Sequence, residues 1–428
     1  MDFKQMMMRG LRVGGVIVLA AAVAAGCGGD GDDKEKAPDT KKVETASGEP
    51  SGTVTICMGK DTTGLHGPLL AKFGEMYNDA DAKLVELPES ADEQRTQLVQ
   101  RLRAKSTECD VLALDVIWTA EFAAQGWLAD ASDLVDERKD EFIEATLETT
   151  KYDDRYWGVP FNSNAGFLYY RTDQVDSVPE TWQDLYKQAA DTSGYTYQGS
   201  RYEGLTVHFL ELLYANDGDV LSDDGESATA DSDETREVLQ FMVDGIKDGA
   251  VPRATLTYKE EEARRAFENG SVTFMRNWPY AYSLGQEAPK VKGKFEVAAF
   301  PKFGDKDAAS ILGGYNLAVS EYSDNPDGAA ALINYLTAEE AQIIYAEGST
   351  PSVLTSVYSD SAVKEALPFA DVLLESIEQG RSRPASPVYP QISEAISTNV
   401  YEALSGDKTV DEAVDAMQKG IEKALKTF

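Results

Sequence analysis

The sequence predicts an α/β protein of two packed lobes, or three small domains, built on parallel sheets with crossover helices. Three observations point there. The chain has 428 residues, whereas a single domain usually has roughly 100 to 200. Short strand-like runs alternate with stretches of helical periodicity. Apolar residues make up 42% and charged residues 27%, a globular balance that supplies large cores and excludes global disorder.

At the start of the chain, Lys4, Arg9 and Arg12 form a basic segment before an apolar run from Val13 to Ala25. That run is short for a bilayer span but suits an export signal over residues 1–26. Ala24-Ala25-Gly26 directly before Cys27 resembles the bacterial lipobox, which implies that Cys27 is lipidated and becomes the mature N-terminus. Residues 27–52 are rich in Gly, Asp, Lys, Glu, Pro and Thr and are expected to be a flexible, solvated tether.

The body begins with strand Thr53–Cys57, followed by Leu69, Leu70, Phe73 and Tyr77 at helical spacing. Lys83–Leu87 reads as a second strand, Leu98, Val99 and Leu102 as a helical stripe, and Asp110–Leu114 as a third strand. This order requires parallel strands joined by crossovers, with ligands beyond the strands' carboxyl ends. Further strands are expected at Phe167–Arg171, Ser271–Arg276, Phe295–Pro301 and Tyr315–Ser320. Trp182, Leu185, Tyr186 and Ala189 mark one helix, and Thr337-x-x-Glu340 reads as a capping box opening another. Cys57 and Cys109 are the remaining cysteines. Export favours their pairing as a disulfide, but in-phase adjacent strands would hold them too far apart, so both states stay open.

Charge and residue counts narrow the chemistry. A net charge of −34, or 37 basic against 73 acidic side chains without residues 1–26, repels phosphate backbones and anionic membrane surfaces. Nucleic acid is therefore not expected as a partner, and attachment to a membrane must come from lipid. Only His66 and His208 are present, too few for a multi-histidine metal centre, and no metal or cofactor is expected. His208 sits in an apolar stretch and reads as a hydrogen-bonded core residue; His66, near a helix start, reads as a cap or a pocket-edge group. The acidic run Asp217–Glu234 lacks calcium-loop spacing and reads as a solvated loop or hairpin. Glycine-rich nucleotide loops, nucleophile elbows and zincin motifs are not found. Asp115 with Asp61 or Glu121 could form the carboxylate pair of an exported glycoside hydrolase, although carboxylates are abundant. A binding protein for a cationic solute is another reading of acids mixed with aromatic rings, opposed by Arg95 and Arg383.

Aromatic and amide residues gather at strand ends: Phe161-Asn-Ser-Asn164, Arg276-Asn-Trp-Pro-Tyr280, Gly313-Gly-Tyr-Asn316 and Arg381–Tyr389. Flat apolar faces beside hydrogen-bonding tips suit a sugar, whose C–H faces pack on rings while its hydroxyls need donors and acceptors. From Thr53 onward the chain resembles the family 1 extracellular solute-binding proteins of ABC importers, the maltose-binding group, and within it the trehalose/maltose-binding lipoproteins. The resemblance rests on Ala91-Asp-Glu-Gln-Arg95, Asp110-Val-Leu-Ala-Leu-Asp-Val-Ile-Trp118 with Gly126-Trp-Leu128, Tyr156-Trp-Gly-Val-Pro160, Leu168-Tyr-Tyr-Arg171, Pro179-Glu-Thr-Trp182, Gly270-Ser-Val-Thr-Phe-Met275, Gly313–Ser320 and Arg383-Pro-x-x-Pro-x-Tyr389.

The resemblance implies a two-lobed periplasmic-binding-protein-like α/β fold, each lobe a mainly parallel sheet flanked by helices, with three hinge crossovers. Residues 53–160 plus 313–352 would form the N-terminal lobe and 165–308 plus 353–428 the C-terminal lobe, with crossovers at 161–164 and 309–312. It implies a monomeric, lipid-anchored binder at the extracytoplasmic face of the bacterial cell membrane, capturing a disaccharide or short α-glucoside for permease subunits that work with an ATPase. Ligand contacts carried over are Arg95 and Asp115 from the N-terminal lobe, Asn162 and Asn164 at the first crossover, and stacking Trp278 and Tyr280. Gly313, Gly314 and Tyr315 match the turn at the second crossover, Arg383 a sugar-contacting arginine, and Asp61 and Thr62 a loop after the first strand. Asn164 stands where trehalose/maltose binders can carry aspartate, and Tyr315 where they can carry tryptophan.

Overall fold

The structure, a computed structural model, describes residues 37–43, 49–222 and 225–427. The expected export signal, Cys27 and residues 28–36 and 44–48 of the expected tether lie outside them. The strands in chain order are β1 (Gly52–Gly59), β2 (Ala80–Leu87), β3 (Val111–Asp115), β4 (Lys151–Tyr152), β5 (Arg155–Tyr156), β6 (Val159–Ala165), β7 (Phe167–Arg171), β8 (Tyr195–Thr196), β9 (Phe274–Asn277), β10 (Phe295–Ala298) and β11 (Leu312–Val319). They build a five-stranded sheet ordered β2-β1-β3-β11-β6, a four-stranded sheet ordered β10-β7-β9-β8, and the small β4-β5 pair. Each large sheet is the centre of one lobe.

The sheets are mixed, which corrects the expectation of mainly parallel ones. β1 runs parallel to β2 and β3, whereas β11 is antiparallel to β3 and β6. In the second sheet β7 is antiparallel to β10 and β9, and the β8–β9 pair alone is parallel. The cause is the chain's passage between lobes. β6 continues through Gly166 into β7 of the other sheet, and β11 returns beside β6 in the opposite sense.

Strand alternation sorts side chains onto separate cores. In the first sheet Val54, Ile56, Met58, Val111, Ala113, Leu317 and Val319 join one buried cluster, while Cys57, Leu112, Leu114 and Ala318 face another. Phe167, Tyr169 and Met275 of the second sheet extend the first cluster, and Leu168, Tyr170 and Phe274 turn to a third. The helix Trp182–Ala190 buries Trp182, Leu185, Tyr186 and Ala189, the four residues of its stripe, and Thr181 caps it by accepting from the Asp184 amide.

Three expectations need revision, and the open question of Cys57 and Cys109 is answered. The tether is not solvated throughout, because Val43 is buried and donates its amide to Asp130 O at 2.8 Å, and Ala37 bonds Asp153 and Arg155. Thr337 closes the helix Pro326–Leu336, its hydroxyl donating to Ile333 O, so the following helix Glu339–Glu347 starts at Ala338 without the capping box. Cys57 and Cys109 are bonded, with Cα atoms 5.6 Å apart. Cys57 is in register with Leu112 and Cys109 precedes β3, where the Asp110 amide bonds Thr55 O and brings the chain alongside β1. Finally, residues 353–354 join the first lobe, where Leu354 pairs with Phe142 and Ile143 N donates to Val353 O at 2.9 Å, while Phe369 further on meets Phe167 and Tyr282 of the second lobe. Arg381 exchanges backbone hydrogen bonds with Ser310 and Leu312, at the expected second crossover.

Candidate functional site

A cavity of about 540 Å³ opens at the carboxyl ends of β1, β3 and β9 and along β6 and β11, between the lobes. That volume is within the range of small-molecule sites, about 300 to 1,000 Å³. Along β6, Asn162 and Asn164 alternate with buried Ser163 and so share the cleft side. Asn162 Oδ1 accepts the Tyr315 amide at 2.7 Å, fixing the bulge where β11 meets β6. Gly314 adopts φ +118°, and a Cβ there would lie 2.1 Å from Asn162 O. No other residue fits this turn without displacing backbone.

Five aromatic rings line the cavity, Phe161, Tyr202, Trp278, Tyr280 and Tyr315. Trp278 lies over Arg276, whose Cζ is 3.9 Å from the ring centroid. Arg276 is wholly buried and held by Glu211 at 2.6 and 3.1 Å and by Gln198 at 3.0 Å. The indole edge meets Gly313, where a Cβ would lie 3.0 Å from the ring. Backing and edge thus fix the indole, which lines the cavity. Tyr280 donates to Glu261 at 2.9 Å. Tyr315 donates to Gln94 at 3.2 Å, and burial together with Asp115 raises its phenol pKa.

At the base of the cleft Arg383 joins the lobes, donating to Asp115 at 3.0 Å, Glu203 at 2.7 Å and Leu312 O at 3.4 Å. Glu203 also accepts from Tyr389 at 2.8 Å and from Ser393. Burial pushes Glu203 up, opposed by Arg383 and Ser393. Burial weakens the charge of Arg383, yet the two carboxylates raise its pKa on balance. Asp115 Oδ1 is committed to Arg383 and the Ile117 amide, which leaves Oδ2 as the charged acceptor for a ligand hydroxyl.

Of the residues expected at the site, Asp61, Thr62, Asp115, Asn162, Asn164, Trp278, Tyr280, Gly313, Gly314, Tyr315 and Arg383 line this cavity. Arg95 does not; its guanidinium is held by Glu121, and Gln94 lines the cleft from the same helix, Ala91–Arg103. Asp61 lines the cleft but is spent on its own loop, accepting from the amides of Thr63, Gly64 and His66 and from the Thr63 hydroxyl. Burial opposes its charge, but His66 and those amides hold its pKa below the usual carboxylate value. The hydrolase pairing therefore finds no two free carboxylates: Asp61 is occupied by amides, Glu121 by Arg95 and one oxygen of Asp115 by Arg383. Residues missed from the sequence include Gln94, Glu203, Glu261 and the pair Ser90–Lys259, which meets across the cleft at 2.9 Å. His208 is fully buried between Glu211 and Tyr195, a core residue as read.

The model of the bacterial extracellular solute-binding protein family matches residues 59–343. The chain belongs to this family. The solute-binding protein is 32% identical over 408 residues to a probable ABC transporter-binding protein of Deinococcus radiodurans, covering 88% of this chain and 95% of the relative. It is similar to the maltose-bound MalE3 of T. maritima, with 35% identity and a TM-score of 0.82 over 87% of this chain and 99% of the other. An ABC transporter solute-binding protein of Thermotoga lettingae, bound with alpha-D-tagatose, gives 27% identity and a TM-score of 0.81 over 88% and 100%. The solute-binding protein thus falls in the maltose-binding group and is not an enzyme, and the hydrolase alternative drops out.

Proposed function

We propose that this protein is the lipid-anchored sugar-binding component of an ABC importer, taking a disaccharide or short α-glucoside of the trehalose/maltose kind. The lobes close on the sugar by bending at the crossovers, 161–164 and 309–312 among them, and the loaded protein hands it to permease subunits served by an ATPase. One observation carries the reading: a rigidly backed indole and three phenols share a single cavity with Asp115, Asn162, Asn164 and Gln94. Ring faces suit sugar C–H groups, and amides and a carboxylate suit hydroxyls. The similar T. maritima protein binds maltose, which supports the α-glucoside choice. Asn164 and Tyr315 supply a neutral amide and a smaller ring than the aspartate and tryptophan of trehalose/maltose binders, so the preferred disaccharide is expected to differ in linkage.

The anchor reading rests on the basic segment, the apolar run and the small residues before Cys27. Cys27→Ser should release the protein from membranes or leave it as precursor; unchanged fractionation and fatty-acid incorporation would remove the anchor. For the ligand, maltose, trehalose and tagatose are compared in a thermal-shift panel with spermidine as a cationic control. A ligand bound only by the folded state raises the melting temperature with concentration. A rise with an α-glucoside supports the proposal, and a rise with spermidine alone overturns it.

A further inference from the structure

His66 is the one cleft-lining imidazole among the described residues, and nothing above uses its chemistry. It opens the helix His66–Met76 directly after the loop organised by Asp61. Its Nδ1 lies 3.3 Å from the Tyr345 hydroxyl, with the ring centroids 5.7 Å apart. Tyr345 is itself fixed, buried to 1% exposure with its ring edge-on to Phe161 at 5.0 Å. The Tyr345 hydroxyl makes no other side-chain hydrogen bond among the described residues, and Nε2 of His66 makes none.

Those contacts favour one placement of the ring proton. A phenol whose one partner is an imidazole nitrogen satisfies its O–H by donating there. Nδ1 is then the acceptor, and in a neutral ring the proton sits on Nε2. Burial holds His66 below its usual pKa, against the pull of Asp61 and Glu86, which favours the neutral ring. Burial also raises the Tyr345 phenol, which therefore stays a donor.

We propose that His66 is a specificity-determining residue of the cleft, presenting Nε2–H as a neutral donor to an acceptor oxygen of the bound sugar. The inference rests on the sugar-binding reading and deepens it. Asp115 Oδ2 selects a hydroxyl that donates, whereas His66 selects an oxygen that accepts, a hydroxyl, ring or glycosidic oxygen. Together they fix how the sugar lies in the cleft, and a ligand offering only donors at that end is rejected. Tyr345 acts through His66 as a positioning residue.

The chain has two histidines, so long-range 1H–15N correlation of uniformly labelled protein resolves both rings, and loss of one set in His66→Gln assigns it. Without ligand at pH 7, His66 should show the Nε2–H tautomer; the Nδ1–H tautomer overturns the proposal before any sugar is added. With maltose as probe, the His66 signals should shift. His66→Phe keeps a flat ring against Tyr345 but loses the donor and should weaken binding about tenfold, the usual cost of an unpaired buried acceptor. His66→Gln keeps an N–H and should recover most of that loss. Wild-type affinity in folded His66→Phe, whatever its melting temperature, overturns the proposal alone. Absence of any melting-temperature response to maltose, trehalose or tagatose overturns the sugar-binding reading and this one with it.

Discussion

Replacing Trp278 by alanine removes the ring on which the proposed sugar packs while leaving its support in place. Arg276 covers one indole face at 3.9 Å and the ring lines the cavity, so a ligand is expected to stack on the opposite, open face. A ligand stacked on the open face would withdraw roughly 80 Å² of ring from water, less than half of what a fully buried aromatic side chain hides. At about 25 cal/mol per Å² this contributes about 2 kcal/mol, a roughly 30-fold weaker Kd. The fold should persist, because Arg276 keeps both bonds to Glu211 and its bond to Gln198. Isothermal calorimetry on wild type, Trp278→Phe and Trp278→Ala should give a graded loss, with thermal melts of the free proteins close together. Wild-type affinity in Trp278→Ala, with an unchanged melting temperature, would refute the assignment of this ring to the ligand.

Other outcomes follow from the same contacts. Arg383→Met leaves Asp115 and Glu203 buried without their cation and should destabilise the fold by about 3 to 5 kcal/mol in urea titrations. Gly314→Ala forces a Cβ to 2.1 Å from Asn162 O, so melting temperature and sugar affinity should fall together; an unaffected variant would show that the turn adjusts freely. Replacing Cys57 and Cys109 by serine opens a cross-link spanning 52 residues, which by chain entropy costs about 4 kcal/mol in chemical denaturation. Asp61 has a folded pKa below its unfolded value of 3.8, so its stabilisation is present above that pH and is lost as pH falls through the folded value. The melting-temperature gap between wild type and Asp61→Asn should therefore be open at pH 7 and close at the acid end.

Local pattern carried much of the fold. The stripe Trp182, Leu185, Tyr186, Ala189 gave its helix, and β7 runs over the expected Phe167–Arg171. Strand direction was not legible, because it depends on where β11 enters beside β3 and β6, and no local signal records that. At the site, Asn162, Asn164, Trp278, Tyr280 and Gly313–Tyr315 were visible as rings and amides clustered at strand ends. Arg95 and Gln94 differ by one position, about 100° of helix rotation, enough to exchange a cleft residue for one held by Glu121. Glu203 was invisible because its partners Arg383, Tyr389 and Ser393 lie at least 180 positions away and become neighbours only through tertiary packing. Asp61 was visible as an acid near a strand end, but its use by three amides of its own loop emerges only in three dimensions.

On the proposed function, the cleft captures one intact sugar between the lobes. Equilibrium dialysis against maltose and trehalose, followed by chemical identification of what the protein retains, tests it most directly. The prediction is saturation at one sugar per chain, recovered unaltered, with retention weakened in Trp278→Ala and in Asp115→Asn. Hydrolysed sugar, or no retention at any concentration by folded wild-type protein, would contradict it.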